Sequence, residues 1–294
     1  MPIKTGDIKL VAQTEDVLGE VPLWHPERKV LTWIDVLKPA FHAYDPATGT
    51  TESWTPPEKL GSYAITDSQE VLISGRNGMA LWSPTDGALH RLSHPESDRP
   101  DNILNDGRTD PRGRFLVASM DKMLSGAKGR LWQVSGAKGT QLVQDKDIFL
   151  PNSICWSPDG ATFYLGDSHT NLIFAHDYDV DTGAISNRRL FADTKGLPGD
   201  VDGSSVDAEG YLWNARYDGG CLIRFTPDGK VDQTLELGVT KPTHVTFGGP
   251  DLKTMYVTTA RFRLPAEKLA SEPFSGGLLA MDSDVAGLPE ALYS

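Results

Sequence analysis

The sequence predicts an all-β fold: a six-bladed β-propeller with four antiparallel strands per blade, its ring closed by the N-terminal strand. Three observations predict it. A short turn pattern recurs six times at a mean spacing of 45 residues. One equivalent position in each copy is polar. Helical periodicity is almost absent, while β-branched and aromatic runs alternate with turns rich in Gly, Pro and Asp.

The turn is clearest as Asp-Pro-Arg-Gly at 110–113, Ser-Pro-Asp-Gly at 157–160 and Asp-Ala-Glu-Gly at 207–210. Degenerate copies end at Arg28, Glu70 and Lys253. The repeat from Asn152 reads as four strands, at 152–157, 162–166, 171–178 and 187–191, with a tight Asp-Val-Asp-Thr-Gly turn before the last. Second strands are expected at 30–34, 71–74, 115–119, 211–215 and 255–259. Third strands follow at 41–44, 79–82, 130–134, 221–225 and 278–281, and weaker fourth strands at 51–54, 89–92, 141–143 and 233–237. Turns at 45–49, 83–87, 136–139 and 226–229 join them. The last repeat lacks a fourth strand, and the chain has a spare one at 8–13, so pairing the two removes the open edge. A turn or two of helix is expected at 265–270. The repeats span residues 1–294 as one domain. The competing reading, a β-sandwich with irregular hairpins, does not account for the regular period.

The formal net charge is −12, and no Lys/Arg cluster breaks the acidic background. This excludes a nucleic-acid or anionic-membrane surface. No apolar run nears the ~18 residues of a membrane span, and no leader is visible at the start, so a cytoplasmic protein is expected. Cys155 and Cys221 each sit in an apolar strand-like run, the usual place of a buried free thiol. Nothing demands a disulfide between them. A closed ring leaves little unpaired edge, so a monomer or weak homo-oligomer is expected.

Eight residues before each turn's end stand Glu20, Ser62, Asn105, Asn152 and Asp202. In the sixth copy His244 lies nine before, with one extra residue within 247–249. The first strand of a propeller blade lines the axis, so residues in one register converge at one height. Glu20, Asn152 and Asp202 then offer two carboxylates and one amide oxygen. Such donors suit Ca²⁺, Mg²⁺ or Mn²⁺, and carboxylates also hold Zn²⁺ or Fe²⁺. Two converging acids without a cation repel. The alternative is that these residues satisfy turn backbone, which explains any one of them better than all five in register.

The same residues carry a family resemblance. Leu18-Gly19-Glu20-Val21-Pro22-Leu23-Trp24, Trp33-Ile34-Asp35 and Asn105-Asp106-Gly107, followed by Asp110 and Gly113-Arg114, form its first half. Pro151-Asn152, Asp167-Ser168, Asp177-Tyr178-Asp179 with Thr182-Gly183, Asp202-Gly203 and Asp207 with Gly210 continue it. Phe247-Gly248-Gly249-Pro250 and Val257-Thr258-Thr259-Ala260-Arg261 complete the set. With these motifs the chain resembles the gluconolactonase, regucalcin and senescence-marker group of six-bladed propeller lactonases over almost its whole length. The resemblance implies one divalent ion held by Glu20, Asn152 and Asp202, with Asn105 touching substrate or the ion's water. It also implies a small sugar lactone as partner.

Two positions depart from the family pattern. Animal-type members carry Arg two residues before the match to Asn105, where this chain has Ile103. They also carry an acid where this chain has Met123, after Asp121 and Lys122. Asp121, Lys122 and Arg76 are candidates to rebuild those contacts. His244 is a further candidate substrate contact, and Arg216 and Arg261 follow equivalent second strands.

The expected reaction is metal-dependent hydrolysis of an aldonolactone, with Asp202 activating water. Glu20 is the weaker base, and the Asn152 amide does not titrate. Hydrolysis of another ester or an organophosphate, or a non-enzymatic metal-binding propeller, are the alternatives. Trp24, Trp33, Trp82, Trp132, Trp156 and Trp213 recur with the blade period and read as inter-blade core.

Overall fold

The computed structural model describes residues 3–136 and 138–294. Strand β1 spans Lys9–Gln13. Blade 1 holds β2 (Gly19–His25), β3 (Val30–Asp35), β4 (Ala40–Asp45) and β5 (Thr50–Trp54). Blade 2 holds β6 (Leu60–Ile65), β7 (Val71–Gly75), β8 (Gly78–Trp82) and β9 (Leu89–Ser93). Blade 3 holds β10 (Asn102–Thr109), β11 (Phe115–Asp121), β12 (Leu131–Ser135) and β13 (Gly139–Gln144). Blade 4 holds β14 (Pro151–Trp156), β15 (Thr162–Asp167), β16 (Leu172–Tyr178) and β17 (Ile185–Asp193). Blade 5 holds β18 (Asp200–Val206), β19 (Leu212–Tyr217), β20 (Cys221–Phe225) and β21 (Val231–Glu236). Blade 6 holds β22 (Pro242–Gly248), β23 (Thr254–Thr259) and β24 (Gly277–Asp282), with helix α1 (Ala266–Ser271) between the last two.

Five sheets run in chain order, and the sixth runs β1-β24-β23-β22. Lys9 lies opposite Ala280 and Gln13 opposite Gly277, antiparallel. The chain is therefore a six-bladed β-propeller closed by its N-terminal strand. The expected strands are present within two residues of their expected ends. The turn expected at 136–139 includes Ala137, which lies outside the described residues. Burial follows strand position: β22 is buried throughout, while most of β5, β9, β13, β17 and β21 is exposed or half-buried. That exposure explains the weak sequence signal of the outer strands. Among the described residues no helix is long and apolar enough to cross a membrane.

The chain forms two compact units. The first comprises the residues up to Ser53 with Gly196–Pro289; the second is Trp54–Lys195 with Glu290–Ser294. In the first, Trp213 and Leu222 of blade 5 pack with Val245, Val257 and Leu279 of blade 6. Trp24 of blade 1 stacks on Tyr256 at 6.3 Å between centroids. In the second, Leu72, Phe115 and Val134 share one cluster, and Leu116, Ile154, Trp156 and Phe163 another. Trp24, Trp33, Trp82, Trp156 and Trp213 are buried core, as their period implies, and Trp132 is packed against it. The second unit also holds a tail that no sequence signal pointed to. Tyr293 N–H donates to the Ile65 carbonyl at 2.8 Å, and Ser294 N–H to that of Gly113 at 3.0 Å.

The repeated turn has a clear physical basis. Asp207, fully buried, accepts from the Glu209 and Tyr211 N–H groups, each at 3.0 Å, and from Trp213 Nε1 at 3.0 Å. It also takes Arg224 Nε at 2.9 Å and Nη2 at 2.7 Å. Asp110 does the same for the N–H groups of Arg112 and Arg114, both at 2.9 Å, and for Arg114 Nε at 2.6 Å. Gly113 and Gly210 close these turns at φ of +83° and +84°, where a side chain is strained. One short motif thus ends the first strand, starts the second and neutralises a buried guanidinium.

Asp207→Ala removes the buried acceptor of the Glu209 and Tyr211 N–H groups and of Trp213 Nε1, and it breaks the shortest ion pair of Arg224, which is 1% exposed. Breaking a buried pair this way is expected to cost roughly 3 kcal/mol. The check is the urea midpoint at unchanged m-value; a midpoint equal to wild type would count against the clamp.

Candidate functional site

Every inner strand breaks register near the position that the repeat singles out. The pairing slips between Glu20 and Leu23, Leu60 and Ser62, Leu104 and Gly107, Asn152 and Cys155, Val201 and Ser204, and Pro242 and His244. A bulge bends its strand and re-aims a side chain. Val21 and Ser153, directly after Glu20 and Asn152, hold φ of 51° and 62°. Positive φ is uncommon outside glycine, and for β-branched valine it is a strained conformation.

The first unit holds Glu20, Asp202 and His244. The Glu20 side chain is 14% exposed, and His244 Nδ1 stands 3.7 Å from its Oε2. Burial pushes the Glu20 carboxyl up to about 8, opposed only by the Val21 N–H at 3.3 Å. Asp202 is buried, and Asn214 Nδ2 holds its backbone carbonyl at 2.7 Å. The next residue is Gly203 for a steric reason: a Cβ there would lie 2.0 Å from the His244 ring. The His244 ring therefore lies between Glu20 and the backbone of Gly203, the residue after Asp202. Tyr217 also belongs here. Burial, then Asp218, Asp202 and Glu20 in turn, push its hydroxyl above the ordinary tyrosine range. Lys241 Nζ stands 4.2 Å over the Tyr217 ring and pairs with Asp218. Sequence reasoning missed Tyr217, although it stands as far after Asp202 as Asp35 does after Glu20.

The second unit holds Asn105 and Asn152. Asn105 Nδ2 donates to the Pro151 carbonyl at 3.0 Å. Asn152 Nδ2 donates to Ser168 Oγ at 2.8 Å. Each amide nitrogen is thus committed, which leaves the oxygen as the end available to a ligand. The segment around Asn152 is fixed by Asp167. Its carboxylate accepts the Phe149 and His169 N–H groups at 3.0 Å, Thr170 at 3.3 Å and Leu150 at 3.5 Å. Asp35 in the first unit repeats this around Glu20, accepting Val17 at 2.7 Å, Leu37 at 2.9 Å, Lys38 at 3.0 Å and Leu18 at 3.2 Å.

The other candidates are more committed. Asp121 is buried at the end of β11 and accepts from Met123 N–H at 3.0 Å, Ser125 N–H at 3.2 Å and Lys128 Nζ at 3.1 Å. These bonds, the one from the Ser125 hydroxyl foremost, hold its carboxyl below the usual range. Lys122 pairs with exposed Asp101 at 2.7 Å. Arg76 is exposed, and its carbonyl accepts from His94 Nε2 at 3.1 Å. Arg216 is fully buried and donates to the Pro198 and Gly199 carbonyls at 2.8 and 2.7 Å, so it braces a loop. Arg261 pairs with Glu15 at 2.7 Å. His25 and His42 are buried packing residues, and His90 and His94 are exposed. Both cysteines are buried and free, their thiols pushed up by burial to about 12 at Cys155 and about 11 at Cys221.

Residues 18–261 match the family described as the SMP-30/gluconolactonase/LRE-like region. The chain belongs to this family. It is 32% identical over 288 residues to a 6-deoxy-6-sulfogluconolactonase of Pseudomonas putida, covering 98% of each chain. It is 34% identical over 253 residues to a pentonolactonase of Haloferax volcanii, covering 85% of this chain and 84% of the relative. The crystal structure of regucalcin, a calcium-binding protein from Agrobacterium tumefaciens, shares 31% identity with a TM-score of 0.92 over 98% of both chains.

The donor atoms that the register singles out are oxygens, the donor chemistry a hard divalent cation takes. Among the described residues no three His, Cys, Asp or Glu side chains cluster as a metal site. The donors named by the register are instead two carboxylates and an amide, an all-oxygen set that suits a hard cation. The neighbour of the Glu20 carboxylate that can carry positive charge is the His244 ring, with Nδ1 3.7 Å away.

Two outcomes follow for the SMP-30/gluconolactonase site. A carboxyl raised from 4.5 to about 8 lends stability that is complete below pH 4.5 and is lost as the pH climbs through 8. The metal-free protein is expected to lose Tm between pH 5 and 8, with Glu20→Gln flattening that slope and an added divalent ion raising Tm most at pH 8. Equal slopes in wild type and variant would refute the burial argument. Gly203→Ala is expected to displace the His244 ring, seen as changed His244 ring signals by NMR in a protein that still folds; unmoved signals would refute the contact.

Proposed function

We propose that this protein is a divalent-metal-dependent lactonase that opens a sugar-acid lactone to the free aldonic acid. The observation that carries the reading is the duplicated build around Glu20 and Asn152. Both are oxygen donors on an irregular strand, both precede a residue at positive φ, and both are fixed by the same carboxylate clamp. Structure of this kind is costly to maintain and concentrates where function needs it. Lactonases of sugar acids among the relatives supply the reaction class.

In this reading Glu20, Asn152 and Asp202 hold one ion, with Ca²⁺, Mg²⁺, Mn²⁺, Zn²⁺ and Fe²⁺ all compatible with the donors. When bound, the ion supplies Lewis-acid polarisation of the lactone carbonyl. Asp202 takes the proton of the attacking water on the carboxylate oxygen not used as ligand. The water oxygen bonds to the carbonyl carbon, the ring C–O bond breaks, and Asp202 returns the proton to the departing ring oxygen. His244, beside Glu20, and Asn105, beside Pro151, contact substrate oxygens. Lys122 and Arg76 reach substrate from loops, and Asp121 fixes the turn that carries Lys122.

One observation favours a second substrate class. Met123, at a position where animal-type relatives carry an acid, is 71% exposed, and Ile103 is half-buried. That favours a substrate with fewer hydroxyls on one side, such as another ester.

The test is initial-rate hydrolysis by EDTA-stripped protein with each of the five ions restored singly. The panel holds five- and six-carbon aldonolactones and an aryl ester. Ion-dependent opening of one lactone is expected, with Asp202→Asn folded, weaker for the ion and slower by about 10²–10⁴-fold. Unchanged turnover in that variant at full occupancy would remove Asp202 from its role. Cleavage of the aryl ester alone would transfer the assignment to the second class.

A further inference from the structure

An aromatic pair stands beside Asn152 that neither the fold nor the clamp requires. The rings of Phe149 and His169 stack with centroids 3.5 Å apart and an interplanar angle of 7°. Phe149 is half-buried, two residues before Pro151, whose carbonyl holds Asn105. His169 is exposed and follows Ser168, whose hydroxyl holds the Asn152 amide. Both residues therefore stand one or two positions along the chain from groups that hydrogen-bond the two candidate amides.

Their placement is not accidental to the chain path. Asp167 accepts the N–H of Phe149 and of His169, each at 3.0 Å, so one carboxylate fixes both backbones. The equivalent residues around Asp35 are Val17 and Leu37, held by the same bonds. The clamp thus works equally well with aliphatic side chains. The aromatic rings in blade 4 are a separate choice, and they stand on the loops of a blade crossing, where binding residues concentrate.

We propose that His169 is a substrate-contacting specificity residue: its outer face takes the C–H face of a cyclic, polyhydroxylated ligand, and Phe149 is the positioning residue that fixes the ring. The stack leaves one face of each ring covered by the other, so the exposed imidazole presents the free one. Aromatic faces carry negative quadrupole density and attract polarised C–H bonds, while a lactone's hydroxyls stay at the ring edge to reach polar groups. The proposal rests on the lactonase reading for its ligand class.

The experiment follows the His169 ring signals by NMR while D-glucono-1,5-lactam, a ring isostere that resists hydrolysis, is added to the metal-loaded protein. The same aldonolactones are then assayed for KM and kcat. Saturable movement of the His169 signals is expected. His169→Ala is expected to raise KM roughly tenfold at a kcat within about twofold, and Phe149→Leu to raise it less. His169→Phe keeps a flat ring and is expected to restore KM to near wild type, which a purely structural role would not predict. Turnover with unmoved His169 signals, or a wild-type KM in His169→Ala, overturns the platform and leaves the lactonase reading standing. Lactam binding that moves His169 without turnover of any lactone keeps the platform and sinks the lactonase reading. Absence of both binding and turnover overturns the two together.

Discussion

A single carboxylate placed at the end of a second strand organises this protein's polar chemistry, and the chain uses it twice. Asp35 and Asp167 each accept four backbone N–H groups, two from the segment entering an inner strand and two from the loop leaving the second strand. Such a carboxylate satisfies donors that a tight crossing would otherwise leave unpaired. The crossing it permits holds Glu20 and Asn152 at the same point of their blades. It also bears the strain of Val21 and Ser153, which no local sequence preference would support. The bulge recurs in the four blades without this clamp, so what accompanies the clamp is the positive φ directly after Glu20 and Asn152.

The charges of the chain divide into two kinds. Asp110, Asp121 and Asp207 are buried but saturated: turn N–H groups, a guanidinium or an ammonium occupy their oxygens. Their desolvation is offset inside the fold. Glu20 is different, because burial dominates and its carboxyl rises to about 8. The contrast separates Asp121, committed to its own turn and to Lys128, from Glu20, whose carboxylate accepts the Val21 N–H.

Much of this was legible in the sequence. The Asp-x-x-Gly turns gave the blade count because each is a complete physical device: an acceptor for two N–H groups, a glycine at positive φ, and a partner for arginine. The minus-eight register that singled out Glu20, Asn152 and Asp202 falls where the inner strands carry their bulges. What lay hidden depends on contacts across long stretches of chain. Nothing near Arg216 in the sequence says that its guanidinium would brace the Pro198 and Gly199 carbonyls rather than face a ligand. The pairing of Phe149 with His169 needs the two sides of one blade crossing brought together, and the Tyr293 anchor needs blade 2. Arg216 stands in its blade's pairing where Asp35 and Asp167 stand in theirs, a likeness that only the strand register reveals.

That comparison exposes an asymmetry with chemical meaning. After Asp202, the clamp's place in the strand pairing is taken by Arg216, which lies opposite Val201 as Asp35 lies opposite Gly19, and which donates to the Pro198 and Gly199 carbonyls where a carboxylate would accept N–H groups. Order around Asp202 comes instead from Asn214 on its carbonyl and from the His244 ring seated against Gly203. Glu20 and Asn152 are thus flanked by a carboxylate that fixes backbone N–H groups, while Asp202 is flanked by side chains that hold its carbonyl and pack on the next residue. The repeat makes the blades alike; where it departs from itself, at Asp202, is where the lactonase reading places the proton transfer.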